Sequence, residues 1–292
     1  MKKIILMLSI LAISLTLWGS VVIAYANDSH AKVQVTPTPV PTQVIVDKPA
    51  TVSPQMKSSV FFQGSSDKPE IALTFDDGPS PLYTPQILNI LHDNDVHATF
   101  FCIGEQVQNS PDLVQQEAAA GHVVGNHTWD HPDLTTLTSD QMHAQLADTS
   151  NALQNADGQA PAFFRPPYGA INEDVHDQAS TLGLQPILWN IDTLDWELPG
   201  SAAIVQTALD NASNGAVILM HDGGGDRSQT VAALPEIISG LKARGFQLVT
   251  INQLVNDAQD DDTAISTSPL AITQPNFANS ADFSRERRTE KL

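Results

Sequence analysis

From Glu70 onward the chain alternates short apolar runs with longer amphipathic stretches, and that alternation leaves few folds open. The runs Ile71–Phe75, Ala98–Ile103, Val123–Asn126, Phe163–Arg165, Pro186–Trp189, Ala216–Met220 and Gln247–Val249 read as strands. The segments between them carry helix starts. Ser110 precedes Pro111, an N-cap followed by proline at the first helical position. Thr138-x-x-Gln141 and Thr250-x-x-Gln253 have capping-box form, and Asn172 can cap the helix carrying Val175, Ala179 and Leu182. About seven β/α units in under 200 residues predict a parallel α/β architecture, either a barrel or an open sheet.

The flanks have a different texture. Met1–Ala26 reads as an export segment: Lys2 and Lys3, an apolar stretch over 4–24, then Ala24-Tyr25-Ala26 as a small-x-small cleavage site. The same stretch is long enough to serve as an uncleaved membrane anchor, and either reading places the rest of the chain outside the cytoplasm. Residues 27–66, with Thr36-Pro37-Thr38-Pro39-Val40-Pro41, read as an extended spacer, and 259–292 as a disordered polar tail. The expected folded domain is 67–258, and it is expected to be monomeric.

That domain holds 25 of the 33 acidic residues and 5 of the 14 basic ones, in a chain of formal net charge −19. So acidic a surface cannot neutralise a polyphosphate backbone, which excludes nucleic acid as a partner. The single cysteine, Cys102, excludes an internal disulfide and any multi-cysteine metal site, so a bound metal must use His, Asp or Glu. Cys102 itself lies inside a strand run and reads as core, not as a nucleophile.

In parallel barrels the chemistry sits where strands end. Here the reactive residues fall there in turn: Asp76-Asp77, His127, Arg165, Asp192 with Asp195, and His221. Adjacent carboxylates at a strand end can take different tasks, one on a metal and one free as a base. His127 and His131 stand at i and i+4, converging on one ion if the backbone is helical or tightly turned. With Asp77 they make three protein ligands, the pattern of an open, catalytic divalent site. Arg165 is placed to pair with a carboxylate in the cleft, and the Tyr168 N–H to face a developing oxyanion. A histidine such as His221, beside Asp195, can be held protonated near neutral pH and suits a general acid.

Taken in order, TFDDGP, HTWDH, RPPYG, DTLDW and LMH, spread over Thr74–His221, closely resemble the five motifs of the polysaccharide deacetylases, carbohydrate esterase family 4 or the NodB homology domain. The resemblance covers roughly 67–258 and implies a distorted (β/α) barrel of about seven parallel strands that removes acetyl groups from sugars with a divalent metal. Zn²⁺ is the metal expected, although a His/His/Asp site also accepts Co²⁺ or Ni²⁺. Position by position it implies Asp76 as catalytic base, Asp77, His127 and His131 as metal ligands, and Arg165 as the residue orienting the base. It further implies Tyr168 as main-chain oxyanion donor, Asp195 as the partner of the general acid His221, and Trp196 and Leu219 as walls of the acetyl pocket. The expected substrate is an N-acetylglucosamine polymer of the cell wall, peptidoglycan foremost. The alternatives are O-deacetylation of acetylxylan, deacetylation of chitin oligomers, or an inactive glycan-binding wall protein.

Overall fold

The structure, a computed structural model, describes residues 60–264. The export segment, most of the spacer and the end of the tail lie outside the described residues. Eight parallel strands form one curled sheet: β1 (Glu70–Gly78), β2 (Thr99–Cys102), β3 (Val123–Asn126), β4 (Phe163–Phe164), β5 (Gln185–Pro186), β6 (Ile191–Asp192), β7 (Ala216–His221) and β8 (Gln247–Val249). Their order is β5-β4-β3-β2-β1-β7-β6, with β8 also paired to β1. The chain continues from β5 to β6, yet these two strands are the sheet's opposite edges, so the barrel is distorted and left open there.

Helices cover the sheet: α1 (Thr84–Asp93), α2 (Gly104–Asn109), α3 (Pro111–Ala119), α4 (Ser139–Asp157), α5 (Glu173–Thr181), α6 (Ser201–Asp210), α7 (Ser228–Ala243) and α8 (Ile251–Ala264). Among the described residues no helix is long and apolar enough to cross a membrane. The Thr138–Gln141 box is complete, and Asn172 Oδ1 accepts from Val175 N at 3.0 Å. Thr250 forms half a box: Gln253 N donates to its Oγ1, but the Gln253 side chain turns to Glu70. Ser110 marks the start of α3 without a side-chain capping bond.

Three boundaries differ from expectation, one of them at the C-terminal end, where α8 runs on to Ala264 and takes residues 259–264 out of the expected tail. Residues 60–66 belong to the fold and not to the spacer. Val60 is buried, Phe61 N donates to Pro186 O, Leu188 N to Phe61 O, and Gly64 N to Gly215 O just ahead of β7. The segment therefore bonds the β5 edge at one end and the far side of the opening at the other. Third, the apolar run Pro186–Trp189 is mostly not strand, and Asp192 ends a separate two-residue strand, β6, too short to register as a periodic signal.

The period-two alternation of β1 positions the site. Ile71, Leu73 and Phe75 face outward and pack with Ile87, Leu91, Leu234 and Ile238 of α1 and α7. Ala72, Thr74 and Asp76 take the opposite face, where Ala72 packs with Phe101, Ile187 and Val217 inside the barrel.

Behind that interior lies a buried acid. Glu117 of α3 is fully buried, accepts from Cys102 Sγ at 3.5 Å and leaves Oε1 without a partner. Burial, then the charge of Asp222, pushes its carboxyl well above the usual range. A raised folded value means that the folded protein keeps a proton the unfolded chain releases. Stability from this group is therefore full at low pH and declines as pH rises past the unfolded value. Glu117→Gln removes that slope. The Tm advantage of the variant over the parent is expected to widen from pH 5 to pH 7, and an equal gap at both would contradict this account.

Candidate active site

The strand ends bring the two motif histidines and both aspartates together. Asp76 and Asp77 are the two residues before Gly78, the last of β1, and His127 follows β3. The chain from His127 to His131 is a tight turn, not a helix, with Thr128 and His131 both at positive φ. Asn126 Oδ1 accepts from Thr128 N, Thr128 Oγ1 accepts from His131 N, and Gln145 Oε1 of α4 accepts from Trp129 N at 2.7 Å. This network holds the imidazoles 4.9 Å apart, centroid to centroid.

One oxygen of Asp77 faces both rings. Its Oδ1 lies 3.5 Å from Nε2 of His127 and 3.5 Å from Nε2 of His131, is buried, and has no hydrogen-bond partner. The ligand atoms of the three residues all fall within 4.8 Å of one another. His127 Nδ1 lies 2.7 Å from the Arg165 carbonyl, which can only accept, so Nδ1 carries the proton and Nε2 is turned toward the aspartates. An orphaned buried carboxylate oxygen and two convergent Nε2 atoms fit a divalent cation, which makes this Asp/His/His set a candidate metal site.

The surroundings charge the site accordingly. Burial raises the Asp77 carboxyl, but His127, then His221 and His131, overturn this and hold it well below the usual carboxylate range. Burial lowers His127, while the Asp76 and Asp77 charges more than restore it. His131 is lowered by burial and by His127.

Arg165 is fully buried beneath this cluster. Its Nη1 donates to Asp76 Oδ1 at 2.7 Å and to Thr74 Oγ1 at 2.8 Å, its Nε to Ile187 O at 3.2 Å and its Nη2 to Leu188 O at 3.3 Å. The guanidinium also sits 4.2 Å from the centroid of the Phe101 ring. Asp76 Oδ1 is thus committed to the arginine, whereas Oδ2 faces the histidines, 3.7 Å from His127 Nε2.

Across β1, Asp76 is in register with His221 of β7. His221 Nδ1 bonds Asp195 Oδ1 at 2.7 Å, and Asp195 Oδ2 accepts from His221 N and Thr230 Oγ1. Burial lowers the His221 imidazolium, but the Asp195 carboxylate overrides it and pushes it up to about 9. Asp192 accepts from Leu194 N and from the Trp196 side chain, which shapes the turn presenting Asp195. Trp196 is half-buried, and Leu219 is buried in β7 opposite Asp192. Tyr168 is exposed at positive φ, its ring 4.7 Å from that of His131. Its N–H is not used by the turn's own bonds, which run from Gly169 to Pro166 and from Ala170 to Pro167.

Sequence reading missed a collar around Asp77. Gly223 and Gly224 pass so close that a Cβ on the first would collide with the Asp77 carbonyl and one on the second with its carboxylate. Buried Arg227 fixes the loop by donating to the Gly223 and Gly224 carbonyls. Asp222, buried beside Gly78, accepts from Thr84 Oγ1, and burial pushes its carboxyl up to about 7. Three consecutive glycines, Gly223–Gly225, were the available signal.

Known proteins resemble this chain in sequence and fold. The family profile described as polysaccharide deacetylase matches residues 63–187. A peptidoglycan-N-acetylglucosamine deacetylase of Bacillus cereus is 43% identical over 187 residues, covering 63% of this chain and 87% of that protein. A chitooligosaccharide deacetylase of Rhizobium leguminosarum bv. trifolii is 42% identical over 204 residues, covering 66% and 95%. Among solved structures, a peptidoglycan N-acetylglucosamine deacetylase bound to a benzamide compound superposes with a TM-score of 0.66 at 39% identity, covering 67% of this chain and 92% of that one.

Proposed function

This chain belongs to the polysaccharide deacetylase family, and from that premise we propose that it removes N-acetyl groups from N-acetylglucosamine units of a cell-wall glycan, peptidoglycan foremost, outside the cytoplasm. The observation that carries the reading is the buried, unsatisfied Asp77 Oδ1 facing two Nε2 atoms, with a base and an acid on either side.

Asp77, His127 and His131 would hold the divalent cation, which we take to be Zn²⁺. When bound, such an ion polarises a carbonyl and lowers the pKa of water. Asp76 Oδ2, left free because Arg165 occupies Oδ1, takes a proton from the attacking water as its oxygen bonds the acetyl carbon. The Tyr168 N–H faces the negative charge that develops on the acetyl oxygen. His221 Nδ1–H is held by Asp195, so Nε2–H is the proton given to the nitrogen as the C–N bond breaks. Acetate and a free amine leave. Trp196 and Leu219 wall the acetyl group from water.

The test uses the full chain with Zn²⁺ on N-acetylglucosamine oligomers, peptidoglycan and acetylxylan, with acetate measured. Release from the N-acetylated glycans is expected, abolished by a chelator and restored by Zn²⁺. Asp77→Asn should lose more than ~100-fold, since even partners of metal ligands are worth 10–100-fold. No acetate from any glycan would sink the enzyme reading. A large preference for acetylxylan would redirect it to O-deacetylation.

A further inference from the structure

Outside the cleft a trough runs between α3 and α4, and we propose that it is a second saccharide site that seats an extended, uncharged stretch of the same glycan. The identity of that glycan rests on the deacetylase reading; the trough rests on its own residues. Its upper part is a cavity of about 580 Å³ lined by Trp129, Gln108, Gln115, Asn151 and Asn155. A second hollow of about 350 Å³ shares Gln115 and Ala156 with it and continues to Gln159. From Asp148 to Asp157 along α4 the trough is ~14 Å long, room for a short oligosaccharide and not merely one sugar.

Three features favour a neutral sugar chain. First, the exposed side chains of Gln108, Gln115, Asn151 and Asn155 make no hydrogen bond within the described residues, so a row of solvent-facing amides is open to a ligand. Each primary amide offers two donors and a carbonyl acceptor, which match paired hydroxyls and acetamido groups. Second, no lysine or arginine lines either hollow, and the charges there, Asp148 and Asp157, are acidic, which disfavours an anionic ligand.

Third, Trp129 is a fixed platform. Its ring rests on Gly104, where any Cβ would collide with it, and its backbone N–H is tied to Gln145. A rigid aromatic face beside planar amides suits a pyranose, which has one apolar C–H face and a polar rim. Trp129 lies between His127 and His131 in the sequence, so the trough's aromatic platform belongs to the same turn that carries the two histidines of the site. A polymer held in both gains effective concentration that a short oligomer cannot.

The probe is tetra-N-acetylchitotetraose, titrated into the full chain carrying Asp76→Asn, with side-chain and indole N–H signals followed by NMR. Saturable shifts are expected at the Trp129 indole and at the Asn151 and Asn155 amides. In the same background Asn151→Ala with Asn155→Ala should weaken binding at the trough at least fivefold while shifts in the cleft persist. Alanine is the stronger helix former, so α4 should be retained. Unmoved trough signals at saturating tetramer, or equal trough affinity in the double variant, would overturn the proposal. So would concentration-dependent shifts there without saccharide, which would mean that a second copy covers the trough. Trough shifts without acetate release from the wild-type chain would leave this site standing and remove only the deacetylase reading. Acetate release with an unmoved trough would do the reverse.

Discussion

Arg165→Ala is expected to abolish deacetylation and to cost about 3–5 kcal/mol of stability, the usual penalty for removing one partner of a buried ion pair. The guanidinium is fully buried, and its four hydrogen bonds reach Asp76, Thr74 and the Ile187 and Leu188 carbonyls. Its loss leaves the Asp76 carboxylate buried without its cation and two carbonyls without donors. Arg165→Lys should not rescue activity, because an ammonium cannot present the planar fork that reaches β1 and the Ile187–Leu188 segment together. Urea titration and kcat/KM on N-acetylglucosamine oligomers read the two effects separately. Full activity with reduced stability would mean that Arg165 merely packs and does not hold the base.

Asp195→Asn should change the pH profile more than the fold. Below about 9 the Asp195 carboxylate keeps His221 cationic and able to donate a proton. The amide cannot, so the alkaline limb of kcat should fall from near 9 toward the ~6.5 of an ordinary imidazole. The charge of a bound divalent ion opposes Asp195 and shifts both limbs downward, leaving their order unchanged. At neutral pH kcat should drop by ~10²–10⁴, the usual worth of a positioned acid. The linkage has the same sign. His221 has a raised folded value, so its contribution to stability is complete below ~6.5 and lost as pH rises through about 9. Metal content should be unchanged, since neither residue is a ligand. An alkaline limb identical to the parent's would remove His221 from the acid role.

Much of this was legible in the sequence for a physical reason. Strands buried on both faces show as apolar runs, and the runs Ile71–Phe75 and Ala216–Met220 lie within β1 and β7. The ends of parallel strands collect on one edge of the sheet, and Asp76 and His221 come into register because β1 and β7 are paired. β6 escaped because two residues carry no period. The Gly223–Gly224 collar and the Gln145 tether escaped for another reason: their work is done by backbone atoms and by close approach, which residue type encodes weakly. Glu117 was unreadable because nothing in a helical segment marks an acid as facing inward.

The clasp made by Val60–Gly64 has a mechanical consequence. Phe61 pairs with Ile187 alongside β5, and Gly64 bonds Gly215 across the opening of the barrel. Whatever precedes Val60 is therefore joined to the wall of the domain itself, not to a loose end. A pull on that leading chain loads these bonds and, through Leu188 N–Phe61 O, reaches the segment whose carbonyls hold Arg165. Tension on that leading chain and the placement of Asp76 are thus connected by a path of five residues, Phe61 to Leu188 to Arg165 to Asp76 with Ile187 beside it.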